Sequence, residues 1–242
     1  MDLLDLKKQT VRQELGIVEE YGRILSFIDF GNVNYWFEDD RQDDEGIQLA
    51  DNERLIIDLE KLKDFSLLFS IDTRFYYGHN PASVGSMAFN RAAKAIFGRS
   101  RVFTKPIQNV RHDLTNEELL TNTRVIKKDS QGAFVYIQKC NFDVEISVDA
   151  MRQLDQYDTF CLFSSDADFV SLLHFLKGRG KKTILIKGGH ILHTLKDSTH
   201  LIINAQDIKR HIAVKKQKPD QIGQVLADRK LVSTSRTIQK GS

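Results

Sequence analysis

The sequence predicts an α/β fold with a mostly parallel sheet flanked by helices, and three observations carry that expectation. Two apolar runs, RILSFID at 23–29 and TFCLFSS at 159–165, read as buried strands, and each runs out at or just before an aspartate. The second is followed by a helical stretch closed by glycines, DADFVSLLHFLKGRG, and then by another β-prone run, KKTILIKGG at 181–189. Strand, helix and strand in that order make a parallel βαβ unit with a right-handed crossover.

The other elements follow in chain order. Leu4, Val11, Leu15 and Val18 predict an amphipathic helix within 3–18, ending before Gly22. Covering the core is its ordinary role, and homodimer formation is the minority one. EDDRQDDEG at 38–46 is a dense acidic loop. Read as a calcium loop starting at Asp40 it would put Gly46 at the seventh position, where the sixth is required, so it is expected to be solvated. Ile47 to Leu68 has a helical pattern, 72–80 reads as a strand, and 86–98 as a compact helix stopped by Gly98. RVFTKPIQNVRHDL at 101–114 reads as one strand that Pro106 confines to an edge or an irregular end, and the polar residues after it read as a loop or short insertion. Val144, Val148, Met151 and Leu154 share one face of a helix between Phe142 and Asp158, with Asp143 at its start. LIINAQDI at 201–208 supplies a further short strand.

With 242 residues, 41% of them hydrophobic and 28% charged, the chain has material for a substantial core. Its two cysteines, Cys140 and Cys161, exclude a disulfide framework and a cysteine-rich zinc site, and favour a reducing, cytoplasmic setting. The opening residues mix charges throughout, without the apolar core of a signal peptide. No later stretch is long and apolar enough to span a bilayer, so no membrane association is expected. The net charge of +2 is uneven: 206–242 holds nine Lys and Arg against three Asp, or +6, which leaves −4 on 1–205. That excess reads as a solvated tail, with electrostatic contact to nucleic acid as the sharper alternative.

In an open parallel sheet, sites form beyond the carboxyl ends of the strands. Asp29 ends one predicted strand and Asp166, with Asp168, follows another, while Asp143 opens a helix. Taken singly, each is explained by a turn or a helix cap. Taken together, carboxylates without histidine or cysteine suit a hard cation such as Mg²⁺ or Mn²⁺, which polarises a phosphoryl oxygen and lowers the pKa of bound water. Phosphodiester hydrolysis is the chemistry that follows.

FIDFGNVN, then K-x-x-x-D-V around Asp143, then FSSDADF followed by a helix and a Gly-Lys-Lys strand, resembles the NYN-domain branch of the PIN-like nucleases. The likeness covers roughly 23–208. It implies a PIN-like, Rossmann-like sheet and metal-dependent cleavage of RNA. By motif, Asp29, Asp143, Asp166 and Asp168 then look like the acidic metal cluster, and Asn32 like the polar residue that orients the first aspartate or a phosphate. Asn34 is a weaker candidate for substrate contact. Where the family often carries glycine before the aspartate, this chain has Ser165. Asp149 lies six residues beyond Asp143 and is turned away from it on a helix, as a supporting or a core-edge carboxylate.

The resulting expectation is an N-terminal helix (1–22), a nuclease domain (23–210) and a basic tail (211–242). The domain is expected to be a Mg²⁺- or Mn²⁺-dependent ribonuclease. Asp29 and Asp166 serve as primary ligands, Asp143 and Asp168 as further ones, and Ser164 or Ser165 contacts a phosphate. The partner is RNA, taken as single-stranded. The rival is a non-catalytic RNA-binding or adaptor protein on the same fold. A phosphatase of small substrates is disfavoured, because the nucleophilic D-x-D-x-T pattern is absent: Phe169 and Val170 follow Asp168.

Overall fold

The computed structural model describes residues 2–121 and 125–217, so most of the expected tail, 218–242, lies outside the described residues. The chain opens on α1 (Leu3–Glu14), which buries Val11 but leaves Leu4 49% exposed. A short 3₁₀ turn ending at Gly22 delivers β1 (Ile24–Asp29), buried over its first five residues, and α2 (Phe30–Val33) follows at once.

The stretch expected to form one helix, 47–68, is β2 (Glu53–Ile57) followed by α3 (Leu59–Ser66). Asp58 divides them. Its carboxylate accepts from the Lys61 N–H at 2.9 Å, as an N-cap does. Leu55 and Ile57 are buried with more open neighbours, the alternation of a strand.

β3 (Asp72–His79) and α4 (Val84–Phe97) come where expected, with Ser83 capping the helix and Gly98 ending it at φ +91°. The single strand expected at 101–114 breaks at Pro106 into β4 (Val102–Pro106) and β5 (Gln108–Asp113), because a residue without an N–H does not extend the ladder. The region expected as a loop or short insertion, 115–132, holds α5 (Asn116–Thr121) and β6 (Lys127–Asp129), and β7 (Gly132–Lys139) follows it. Strands β5, β7 and β6 form a separate antiparallel sheet. No residue of β5 or β6 is buried, so neither strand shows a hydrophobic alternation.

In α6 (Asp143–Arg152) the buried face is Ile146 and Ala150, and the expected one is wrong: Val144 is 73% exposed. Both faces fit a 3.6-residue period. Ile146 and Ala150 win because they pack in one cluster with Phe142, Tyr157, Phe160 and Leu162. Next come β8 (Thr159–Phe163), buried throughout, α7 (Val170–Gly178) and β9 (Lys182–Lys187), the predicted βαβ unit. After α8 (His193–Asp197), the strand expected at 201–208 is only β10 (Leu201–Asn204). Asn204 caps the Gln206 N–H at 3.1 Å and opens α9 (Ala205–Ile212). Residues grouped with the tail by charge then form β11 (Ala213–Gln217), antiparallel to β2.

The main sheet runs β10-β9-β8-β1-β3-β4, and every pairing in it is parallel. One face packs Phe30, Phe75 and Ile184, and the other Phe27, Tyr76 and Leu173, so the strands are covered on both sides. Both cysteines are free, with Cys161 in the core. Among the described residues no helix is long and apolar enough to cross a membrane. The acidic loop 38–46 is exposed as expected except at two residues: Asp40 pairs with Lys209 at 2.7 Å, and Asp43, itself buried, with Lys215 at 2.5 Å. Part of the C-terminal basic excess is neutralised inside the fold.

Candidate metal centre and active site

β1 and β8 are parallel neighbours with Ile28 opposite Phe163, which brings Asp29 beside Ser164 at the carboxyl rim. The Ser164 hydroxyl donates to Asp29 Oδ2 at 3.0 Å, and the Asp166 N–H donates to the same hydroxyl at 3.2 Å. Asp166 also caps the 3₁₀ turn that leads into α7, its Oδ1 accepting from the Asp168 N–H at 3.0 Å. The cap explanation and the cluster explanation thus apply to the same side chain. Asp143 arrives from the start of α6, where Asn141 braces it: the Asp143 N–H donates to Asn141 Oδ1 at 2.8 Å, and Asn141 Nδ2 donates to Asp143 Oδ2 at 2.5 Å.

One oxygen from each of Asp143, Asp166 and Asp168 lies within 4.8 Å of the others. Asp29 stands outside this triangle, deeper in the fold. Burial is the main cause that pushes its carboxyl up to about 6, and the charges of Asp143 and Asp166 add to the rise. The Ser164 hydroxyl and the Asn32 N–H hold it down in part. Asp143 is raised too, by burial first and by Asp166 and Asp168 after it, with Asn141 and Lys105 acting the other way. An all-oxygen, carboxylate-only donor set with this much uncompensated negative charge fits Mg²⁺ or Mn²⁺ and offers nothing to a soft metal.

Behind the carboxylates lies a brace. Asn32 Oδ1 accepts from the Ser165 N–H at 3.0 Å and from Trp36 Nε1 at 3.1 Å. Ser165 Oγ donates to the Gly188 carbonyl at 2.7 Å and accepts from the Gly188 N–H at 3.1 Å. No described non-glycine residue has a positive φ, so Ser165 takes the position often held by glycine without left-handed backbone. Ser164 is fully buried, and both serine hydroxyls are engaged by the scaffold. Asn34, by contrast, is exposed and lines a groove of about 530 Å³ with Asp29, Tyr35, Tyr77, Lys139 and Asn141.

Asp149 is not at the site. It accepts from Arg74 Nη1 at 2.9 Å and from the Tyr76 hydroxyl at 2.6 Å, as a core-edge carboxylate. Asn141, Tyr35, Trp36 and Lys139 were not anticipated. Asn141 had a readable signal, since an Asn two residues before a helix-opening Asp forms such a turn. Tyr35 and Lys139 had none, because only folding brings them to one groove.

A parallel sheet covered on both faces, with carboxylates gathered beyond the ends of two adjacent strands, defines a PIN-like protein. The family model of the NYN domain matches residues 23–206, and the chain belongs to that family, a branch of the PIN-like nucleases. It is 31% identical over 101 residues to "Low amplitude and bright protein LabA" of Synechococcus elongatus, a match that takes in 40% of this chain and 54% of LabA. The chain therefore spans about half the length of that relative. Among solved structures, a protein of unknown function from Vibrio parahaemolyticus superposes with a TM-score of 0.52 at 17% identity, over 81% of this chain and 99% of that one, a likeness of fold alone.

Proposed function

We propose that the protein is a divalent-cation-dependent ribonuclease. The observation that carries this reading is the approach of Asp143, Asp166 and Asp168 to within 4.8 Å of one another, with a partly buried Asp29 at the same rim. A Mg²⁺ or Mn²⁺ ion held there supplies a Lewis acid for a phosphoryl oxygen and lowers the pKa of bound water. Asp143, Asp166 and Asp168 hold the ion, and Asp29 completes the set from below. Asn34, Asn141 and Lys139 line the groove in which the phosphodiester lies, and Tyr35, 61% exposed, offers a face on which an unpaired base stacks. Asn32, Ser164 and Ser165 serve in this reading as positioning residues, since their side chains hold the rim together.

The test is a cleavage assay on labelled single-stranded RNA, with Mn²⁺ or with EDTA, comparing wild type with Asp166→Asn and Asp29→Asn. Cleavage by wild type with Mn²⁺, lost in EDTA and in both folded variants, is the expected result. RNA binding without cleavage under every divalent cation tried would leave the adaptor reading in its place.

A further inference from the structure

Between Thr73 and His112 the chain has forty residues with no Asp or Glu, although the whole protein contains 33 of them, and this stretch carries seven Lys and Arg. The near-neutral net charge conceals it. It builds β3, α4 and β4, the edge of the main sheet, where no strand among the described residues pairs with β4 on its outer side. Four of the seven cations find carboxylates outside the stretch: Arg74 on Asp149, Lys105 on Glu145, Arg101 on Asp72, which immediately precedes it, and Arg111 on Asp129 and on Asp113, which immediately follows it. The remaining three, Arg91, Lys94 and Arg99, have no ion pair among the described residues. They converge on one surface depression of about 570 Å³ floored by Ala95 and Val102.

Placement at the carboxyl end of α4 favours Lys94 and Arg99 through the helix dipole. That explains neither Arg91, mid-helix, nor the gathering of all three around an open hollow. The other end of α4 adjoins the carboxylate groove: Tyr77, which lines the groove, has its hydroxyl 3.5 Å from Ser86 Oγ in the first turn. From there the 14-residue helix leads away from the carboxylates for about 20 Å.

We propose that Arg91, Lys94 and Arg99 form a second binding site, separate from the carboxylates, which grips the phosphate backbone of a single-stranded RNA laid along the α4 edge. Three unpaired cations around a shallow apolar floor suit successive phosphates with a sugar or base between them. The choice of RNA over another polyanion rests on the ribonuclease reading.

The experiment is equilibrium binding of a fluorescent single-stranded RNA of about twenty nucleotides to the full chain in EDTA, as a function of salt. Wild type is compared with the triple variant Arg91→Gln, Lys94→Gln, Arg99→Gln and with the conservative pair Arg91→Lys, Arg99→Lys. The triple variant is expected to bind about tenfold or more weakly, with a salt slope shallower by roughly two, at about 0.7 per phosphate contact. The conservative pair is expected to keep both near wild type. An unchanged slope in a folded triple variant overturns the site, as does wild-type protein that does not bind RNA. Loss in the triple variant of binding to vesicles rich in anionic lipid, with RNA binding intact, overturns it in favour of a membrane surface. Because cleavage plays no part in EDTA, a protein that binds in this way yet never cuts RNA sinks the ribonuclease reading and leaves the site standing.

Discussion

Ser164 Oγ lies 3.0 Å from Asp29 Oδ2 and joins the end of β8 to the end of β1, while the same oxygen takes the Asp166 N–H. One buried hydroxyl therefore sets the positions of two carboxylates that repel each other. The fold holds Asp29 in place without neutralising it, and its carboxyl stays up at about 6.

That shift has a sign. A carboxyl raised in the folded state favours folding while protonated, so its contribution is complete below the unfolded value near ~3.9 and is lost as pH rises through about 6. In EDTA, wild-type stability is expected to fall between about pH 4 and pH 6 on this account, by up to roughly 3 kcal/mol. Asp29→Asn does not ionise and escapes that fall. Denaturant unfolding of both proteins across this range measures it, and parallel profiles would remove Asp29 as the cause.

Asp166→Asn keeps a capping oxygen for the Asp168 N–H and loses a charge from the cluster. In EDTA the variant is expected to melt at the wild-type temperature or above it. The rise in melting temperature that millimolar Mn²⁺ gives wild type should shrink sharply, since a ligand stabilises only through its affinity for the folded state. A full Mn²⁺ response in the variant would show that Asp166 is a cap alone.

Asp149 has the opposite character. Asp149→Ala leaves the Arg74 guanidinium, only 19% exposed and with its Nε already lacking a partner, without its carboxylate. A loss of about 3 kcal/mol is expected. Urea midpoints measure it, and cleavage per folded molecule should drop far less than in Asp166→Asn. A neutral effect on stability would refute the structural role.

Gly188 admits the protein's single tryptophan. A Cβ there would stand 2.7 Å from Trp36 Cγ, and Trp36 stacks on Phe163 and holds Asn32. Gly188→Ala is expected to cost about 1–3 kcal/mol, shift the intrinsic fluorescence and weaken the Mn²⁺ response by loosening the Asn32–Ser165 link. Unaltered emission with an unaltered response would show that the ring yields without consequence.

Strands β1, β8 and β9 were legible from sequence because a parallel strand covered on both faces is a local apolar run, whatever it pairs with. The aspartates at their ends were legible for the same reason, since sheet geometry alone sends them to one rim. Asp149 was turned away from Asp143 by helix geometry and needed no knowledge of Arg74. The acid-free stretch 73–112 was also present in the sequence, concealed by balanced totals, and its readable sign was the absence of carboxylates.

The rest was decided by contacts that leave no local trace. Ser164 and Asp29 are 135 residues apart, and Ser165 and Asn32 are 133 apart. The hydrogen bonds that the two serines make within the rim therefore could not be read until the strands were neighbours. β2 reads as helix until β11, at the other end of the described chain, supplies its ladder. The face of α6 was ambiguous because two faces share the helical period, and packing against Tyr157, Phe160 and Leu162 chose between them. Sequence by itself determined which segments must be buried and which carboxylates stand at their ends, since both follow from local polarity. Tertiary structure alone decided which polar groups those carboxylates meet and which cations are left unpaired, since hydrogen bonds and ion pairs act over a few ångströms between residues that the chain keeps far apart.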